Sequence, residues 1–158
     1  MTSIHGDHMN NGRTVIADSD VIISLYCEDD VNHSKVFDLI KTAAEKSYEI
    51  HYPNTVILEA VTSLRRALNK PDVALKVTEM FKNDEFNIIY VEEEIQKLAS
   101  EIFATTKSKQ NTIFDCVVLA TAKLTKAAGI FSFDDWYKKM GVKTLKDLVI
   151  LSPLPKSQ

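Results

Sequence analysis

Two carboxylates follow the first apolar segment of this chain. The segment 14–17 ends at Asp18, and Asp20 comes two residues later. A short apolar run bounded in this way is typical of a buried, parallel strand. Open α/β sheets bind their ligands at the carboxyl ends of such strands, so both acids are well placed for chemistry. The structural alternative is that Asp18 begins a turn and Asp20 caps the next helix.

Glu59 is the third acid that could contribute to a site. It lies near the start of a predicted helix and shares a face with Ser63 and Arg66, away from the apolar stripe. The structural alternative is a solvated glutamate that the positive end of the helix dipole favours.

Asp115 belongs to a predicted helix that is apolar almost all round. An ionised aspartate beside Val118 and Leu119 is costly unless it is paired or bound to a cation. Thr112 and Asp115 also have the spacing of a capping box, which would give the carboxylate a structural partner. The sequence leaves both interpretations open.

Asp134 repeats the situation of Asp18, because it ends an apolar strand and precedes a helix. Either Asp135 caps that helix while Asp134 faces inward, or the reverse. Acids from two strand ends and two helices could converge at one sheet edge, where they would raise one another's pKa unless divalent cations lay among them. Oxygen-only ligands favour Mg²⁺ or Mn²⁺, which can activate water to attack a phosphodiester.

The elements that must position these acids alternate between strands and helices. This alternation predicts a parallel α/β sheet covered by helices on both faces, in three layers. We predict strands at 14–17, 48–52, 86–91 and 130–133, an additional edge strand at 148–151, and helices at 33–46, 55–69, 71–82, 92–106 and 112–128.

Length and composition favour one domain, residues 14–152, in a chain of 158 residues. We expect residues 1–13 to be a flexible leader that could in part be an expression remnant, and 153–158 to be a tail. Two cysteines and four histidines form no disulfide framework or zinc pattern, which suggests a cytoplasmic setting. No apolar run is long enough to span a bilayer. The net charge of −3 means that any contact with nucleic acid needs a local basic patch.

Four segments, in this order, resemble the PIN domain family, of the VapC-like toxin ribonuclease type. They are 15–23, 56–60, 114–122 and 130–135, and together they extend over most of the chain. The resemblance implies a three-layer α/β/α fold with a central, mostly parallel sheet of four or five strands. It also implies a metal-dependent endoribonuclease that uses Mg²⁺ or Mn²⁺.

The same resemblance assigns roles by position. It implies that catalysis and metal binding rest on Asp18, Glu59, Asp115 and Asp134. Ser132 matches a small hydroxyl residue of the last motif and is a candidate for substrate binding. Asp20 stands where the family often has Asn or Ser, so it could be a further metal ligand or an acid behind the ligands.

Family members of this type commonly form dimers and are held inactive by an antitoxin whose segment enters the acidic groove. We therefore expect an RNA substrate, a cognate antitoxin, a homodimer and no membrane association. Arg66 is the best candidate among the local basic residues for a phosphate contact, because it shares the face of Glu59.

Two alternatives from other classes remain at this point. Asp18 and Asp20 resemble the opening acid pair of a haloacid-dehalogenase-type phosphatase, but Ile22 occupies the position where that family has Thr. The chain could also be a PIN-like scaffold that binds RNA or protein without cutting. Loss of some of the acids would be expected in such a scaffold, and all four are present.

Overall fold

The central feature of the computed structural model, which describes residues 13–151, is a parallel sheet. Its strand order is β3-β2-β1-β4, and every paired neighbour runs parallel. Helices on both faces complete the predicted three-layer α/β/α arrangement. The described residues form four strands: β1 (Thr14–Ala17), β2 (Glu49–Pro53), β3 (Ile88–Ile89) and β4 (Gly129–Phe131).

The helices occur between the strands and after β4, as the alternating pattern predicts. α3 packs against α4, α5 packs against α6, and α2 packs against α8. Over the described part of the chain the helices are α1 (Ser19–Tyr26), α2 (His33–Glu45), α3 (Asn54–Arg66), α4 (Pro71–Lys82), α5 (Glu93–Thr105), α6 (Ile113–Leu124), α7 (Trp136–Lys139) and α8 (Leu145–Leu151).

The pairing of β1 with β4 brings two strand ends together. Val15, Ile16 and Ala17 are fully buried, as expected for an interior strand of a parallel sheet. Ala17 lies opposite Phe131 in the register. The backbone N–H of Asp18 then donates to the carbonyl of Phe131 at 3.0 Å. The chain after β1 and the chain after β4 therefore leave the sheet side by side.

Asp18, not Asp20, caps α1. The side chain of Asp18 accepts a hydrogen bond from the backbone N–H of Ser19 at 2.6 Å, and α1 begins at Ser19. The structural alternative that gave this cap to Asp20 is therefore wrong. The helix starts directly after the strand, and Val21 and Ile22 in its first turn are fully buried.

The edge strand predicted at 148–151 is also wrong, because these residues belong to α8. Thr144 donates to the carboxylate of Asp147 from both its backbone N–H and its hydroxyl, which fixes the start of that helix. Leu145 and Leu148 are buried one helical turn apart. A run of four apolar residues is ambiguous between strand and helix, and here the cap decides.

Several boundaries differ from the predicted ones by a few residues. β3 is shorter than the predicted strand 86–91, and α6 ends at Leu124, before the predicted residue 128. The predicted leader and tail lie outside the described residues, apart from Arg13. Both cysteines are buried and unpaired. Among the helices of residues 13–151, none is long and apolar enough to cross a membrane.

Candidate active site

Asp18 is almost completely buried, with 4% of its surface exposed. Its Oδ2 accepts a hydrogen bond from the hydroxyl of Tyr137 at 2.7 Å. The Ser132 hydroxyl lies 3.5 Å from the same oxygen. With the Ser19 N–H on Oδ1, both oxygens of this carboxylate are held by the protein, so its orientation is fixed before any ligand arrives.

Asp20 connects the first turn of α1 to the loop after β4. Its Oδ2 accepts hydrogen bonds from the Ser132 hydroxyl at 2.8 Å and from the backbone N–H of Phe133 at 2.7 Å. Its Oδ1 is buried and has no hydrogen-bond partner among the described residues. A buried carboxylate oxygen without a donor is costly, and it is the kind of atom that a cation can satisfy.

Glu59 extends from the second turn of α3 towards α1. It is partly buried, and its Oε2 is a second buried carboxylate oxygen without a hydrogen-bond partner in residues 13–151. Burial and the charge of Asp18 raise its pKa, while the Ser19 side chain lowers it. Glu59 therefore faces the acids of α1 and is not a solvated helix-start glutamate.

Asp115 has the structural partner that the capping-box interpretation predicts. It forms the capping box of α6 with Thr112, whose backbone N–H donates to Asp115 Oδ2 at 2.5 Å. Burial raises its pKa, the hydrogen bonds from Thr112 lower it, and the charge of Asp134 raises it. The capping box orients the carboxylate of Asp115, and this carboxylate still interacts with the charge of Asp134.

Asp134 lies in the exposed loop between β4 and α7. Its Oδ1 accepts from the backbone N–H of Trp136 at 2.8 Å, and its Oδ2 accepts from the side-chain amide of Asn111 at 3.2 Å. Asp135 holds the N-cap position of α7 without a side-chain capping bond. Asp134 thus holds the first turn of α7 and also faces the start of α6.

We refer to Asp18, Asp20, Glu59, Asp115 and Asp134 as the acidic cluster. Burial raises the pKa of Asp18 to about 6, with further contributions from the charges of Asp115 and Asp134. Burial and the charge of Asp18 raise the pKa values of Asp20 and Glu59 to about 7 each. Carboxyl groups with such values share protons near neutral pH, because their negative charges lie close together with little solvent between them.

The donor chemistry of the acidic cluster fits a hard divalent cation. Its potential ligands are all oxygens, and two of them, on Asp20 and Glu59, lack any donor in the described structure. In residues 13–151, no three Asp, Glu, His or Cys side chains already stand in metal-ligand geometry. A cation among these oxygens would replace the mutual repulsion of the carboxylates by attraction.

The other two predicted site residues differ in their placement. Ser132 is buried inside the acidic cluster, where it contacts Asp18 and Asp20. Arg66 is exposed at the end of α3. Because seven residues separate it from Glu59, its Cα lies on the order of 10 Å further along the helix. Arg66 therefore lies outside the acidic cluster, about two helical turns from Glu59.

Sequence reasoning missed two residues that hold the acids in place. Tyr137 is fully buried and donates to Asp18, and Asn111, 8% exposed, donates to Asp134. Neither partner lies nearby in the sequence. The available signal was weak: a buried tyrosine needs a partner for its hydroxyl, and a polar residue directly before a helix cap is often held in place.

Comparisons with known proteins agree with this architecture. A family model described as "PIN domain" matches residues 15–143. A solved structure, VapC20 of Mycobacterium tuberculosis, described as a sarcin-ricin loop cleaving toxin, superposes with a TM-score of 0.70 at 16% sequence identity. The match covers 82% of this chain and 96% of VapC20. No curated protein matches the chain in sequence.

The raised pKa of Asp20 predicts how stability depends on pH. Its folded-state pKa of about 7 lies above the ordinary value of 3.8, so its contribution to stability is complete below the ordinary value and is lost as pH rises through about 7. Asn cannot ionise and keeps an acceptor oxygen. In EDTA, Asp20→Asn should raise the free energy of unfolding at about pH 8 by on the order of 1 kcal/mol or more, and by much less at about pH 5.

Urea denaturation at the two pH values measures this difference, with the exposed Asp38→Asn on α2 as control. An equal effect of Asp20→Asn at both pH values, or a loss of stability only at the higher one, would contradict the assignment of Asp20 as a buried carboxylate with a raised pKa.

Proposed function

Because this chain belongs to the PIN domain family, we propose that it is a metal-dependent endoribonuclease. The observation that carries the proposal is the convergence of five carboxylates at the carboxyl ends of β1 and β4, with two buried oxygens that have no donor in the described structure. The fold of VapC20, a toxin described as cleaving the sarcin-ricin loop, supports RNA as the substrate class.

The ligands of Mg²⁺ or Mn²⁺ would be Asp18, Glu59, Asp115 and Asp134, with Asp20 as a further ligand or as the acid behind them. When bound, such an ion lowers the pKa of its water and stabilises charge on a phosphodiester. Without a cation, the acids would repel the RNA backbone, because both carry negative charge.

The surrounding residues hold these acids in place. Tyr137 and the Ser19 N–H fix the carboxylate of Asp18, and Asn111 fixes that of Asp134. Asp20 holds the loop that carries Asp134 through the N–H of Phe133. Such preorganisation means that little reorganisation is needed when substrate binds.

Glu59 is suited to be one of these metal ligands. Its Oε2 has no hydrogen-bond partner among the described residues, so this oxygen is not already engaged by the protein.

We extend the proposal to the cellular role of a toxin. The support is the fold shared with VapC20 over 96% of that chain. A cognate antitoxin would then insert a segment into the acidic groove, and two copies of the chain would form a homodimer. A basic side chain from the antitoxin could replace the cation by pairing with the carboxylates.

A phosphatase of the haloacid-dehalogenase type receives no support from this site. Asp18 would have to be the nucleophile, but its Oδ2 and Oδ1 accept bonds from Tyr137 and Ser19. Ile22, at the position where that family has Thr, is fully buried in the core. The second alternative is a PIN-like scaffold without nuclease activity. RNA cleavage by the wild type and by Asp115→Asn distinguishes such a scaffold from an enzyme.

We predict that Asp115→Asn abolishes metal-dependent RNA cleavage. Asn keeps an acceptor for the Thr112 N–H, so α6 retains its cap, but one charge of the acidic cluster is lost. Cleavage of single-stranded and structured RNA with Mn²⁺ or Mg²⁺ should fall roughly 100-fold or more, and EDTA should stop the wild type.

The matched control is Asp72→Asn, which removes an exposed aspartate from the first turn of α4 and should leave cleavage unchanged. If the folded wild type cuts no RNA with either metal, or if Asp115→Asn cuts as fast as the wild type, the enzyme proposal fails.

We predict that Arg66→Ala weakens RNA binding more than metal binding. Arg66 is exposed and can contact phosphate, whereas Glu59, the proposed metal ligand on the same helix, lies about two helical turns away. Removing one phosphate contact should reduce RNA affinity several-fold. The slope of the logarithm of the binding constant against the logarithm of the salt concentration should become shallower by about one.

Arg65→Ala is the matched control, because Arg65 is the exposed neighbour on a different face of α3. Fluorescence anisotropy with labelled RNA at several salt concentrations measures the effect. Identical RNA affinity for wild type, Arg65→Ala and Arg66→Ala would remove Arg66 from the binding surface.

A further inference from the structure

A cavity lies beside the loop that connects β4 to α7. Its volume is about 490 Å³, within the range of small-molecule sites. None of the acids of the acidic cluster lines it. Ser132 forms part of its wall, and the hydroxyl of the same residue lies 2.8 Å from Asp20. The cavity is therefore separated from the acidic cluster by a single side chain. We call it the loop cavity.

Two lysines without ion-pair partners line the loop cavity. Lys35 comes from α2 and Lys146 from α8; both are exposed, and neither forms an ion pair within residues 13–151. A third lysine, Lys138, is already paired with Asp147 at 3.1 Å. Ammonium groups without carboxylate partners are suitable point charges for a phosphate.

The cavity also offers acceptors and an aromatic wall. Asp38 and Asp135 line it, and neither carboxylate forms an ion pair within the described structure. Phe133 is partly exposed and packs edge-on against Phe131, with the ring centroids 6.0 Å apart. Leu39 adds an apolar side chain from α2. Cations, acceptors and an aromatic ring therefore meet around one space.

This combination decides between classes of ligand. The two carboxylates offset the charge of the two lysines, so the cavity favours a ligand that brings hydrogen-bond donors as well as a phosphate over inorganic phosphate or an acidic peptide. A nucleotide matches all three features. Its phosphate needs cations, its base can stack on Phe133, and its amino groups need acceptors such as carboxylates.

We propose that the loop cavity binds one nucleotide of the RNA substrate, with a base that carries an exocyclic amino group. The inference rests on the proposed ribonuclease function and adds a source of sequence preference next to the acidic cluster. Adenine, cytosine and guanine offer amino donors to Asp38 and Asp135. Uracil has carbonyl groups in place of an amino group, so it fits this set of acceptors less well.

Binding of the four nucleoside 5′-monophosphates to the full chain tests the proposal. Isothermal titration or NMR in EDTA keeps metal ions out of the measurement. We expect AMP, CMP or GMP to bind at least about fivefold more tightly than UMP. The double variant Lys35→Ala, Lys146→Ala should bind at least about tenfold more weakly. Asp135→Asn should reduce the preference against UMP.

Lys41→Ala is the matched control, because Lys41 is an exposed lysine of the same helix α2 that does not line the cavity. No binding of any monophosphate at millimolar concentration, or equal affinity in Lys41→Ala and the double lysine variant, would overturn the proposal.

RNA cleavage assays distinguish failure of this inference from failure of the proposed function. If the wild type cuts RNA and the double lysine variant cuts with unchanged rate and sequence preference, the loop cavity has no part in recognition and the nuclease stands. If monophosphate binding depends on Lys35 and Lys146 while the wild type cuts no RNA, the nucleotide site stands and the nuclease proposal fails.

Discussion

The burial of several carboxylates at one edge of the sheet is the constraint on which this structure depends. Parallel pairing of β1 with β4 brings Asp18 close to the loop that carries Asp134, and α3 and α6 add one acid each. Burial raises the pKa values of Asp18, Asp20, Glu59 and Asp115, and the charges of neighbouring carboxylates raise them further. In the absence of a cation, Asp18, Asp20 and Glu59 hold their protons to a higher pH than ordinary carboxyl groups do. A divalent cation would stabilise such an arrangement, because the ion would offset the repulsion between the carboxylates and give the unpartnered oxygens a partner.

Structural roles and the proposed metal-binding roles coincide in the same side chains. Asp18 caps α1, Asp115 caps α6, and Asp134 holds the first turn of α7. In each case a backbone N–H fixes the direction of the carboxylate without removing its charge. Capping and ligation are therefore compatible here, because a carboxylate has two oxygens and about four acceptor sites. An aspartate that caps a helix at the edge of this sheet can therefore still be a metal ligand.

The sequence predicted those features that local patterns encode. Strand-end positions pointed to Asp18 and Asp134, and an apolar helix around a single acid pointed to Asp115. The hydrogen bond from Tyr137 to Asp18 connects residues 119 positions apart, so no local pattern could reveal it. A helical wheel shows that Arg66 shares the face of Glu59, but the seven residues between their positions put it on the order of 10 Å further along α3. The run 148–151 became a helix because Asp147 and Thr144 form a cap, which outweighs β-propensity in a run of four.

The most direct test of this account is Mn²⁺ binding to the metal-free protein, measured by isothermal titration at about pH 7.5 and about pH 5.5. The account predicts that the wild type binds the ion at the higher pH and at least about tenfold more weakly at the lower one, because protons compete for carboxylates with raised pKa values. Asp18→Asn and Asp115→Asn should weaken binding at both pH values. A folded wild type that binds no Mn²⁺, or equal affinity in the wild type and both variants, would contradict the assignment of the acidic cluster as a metal site.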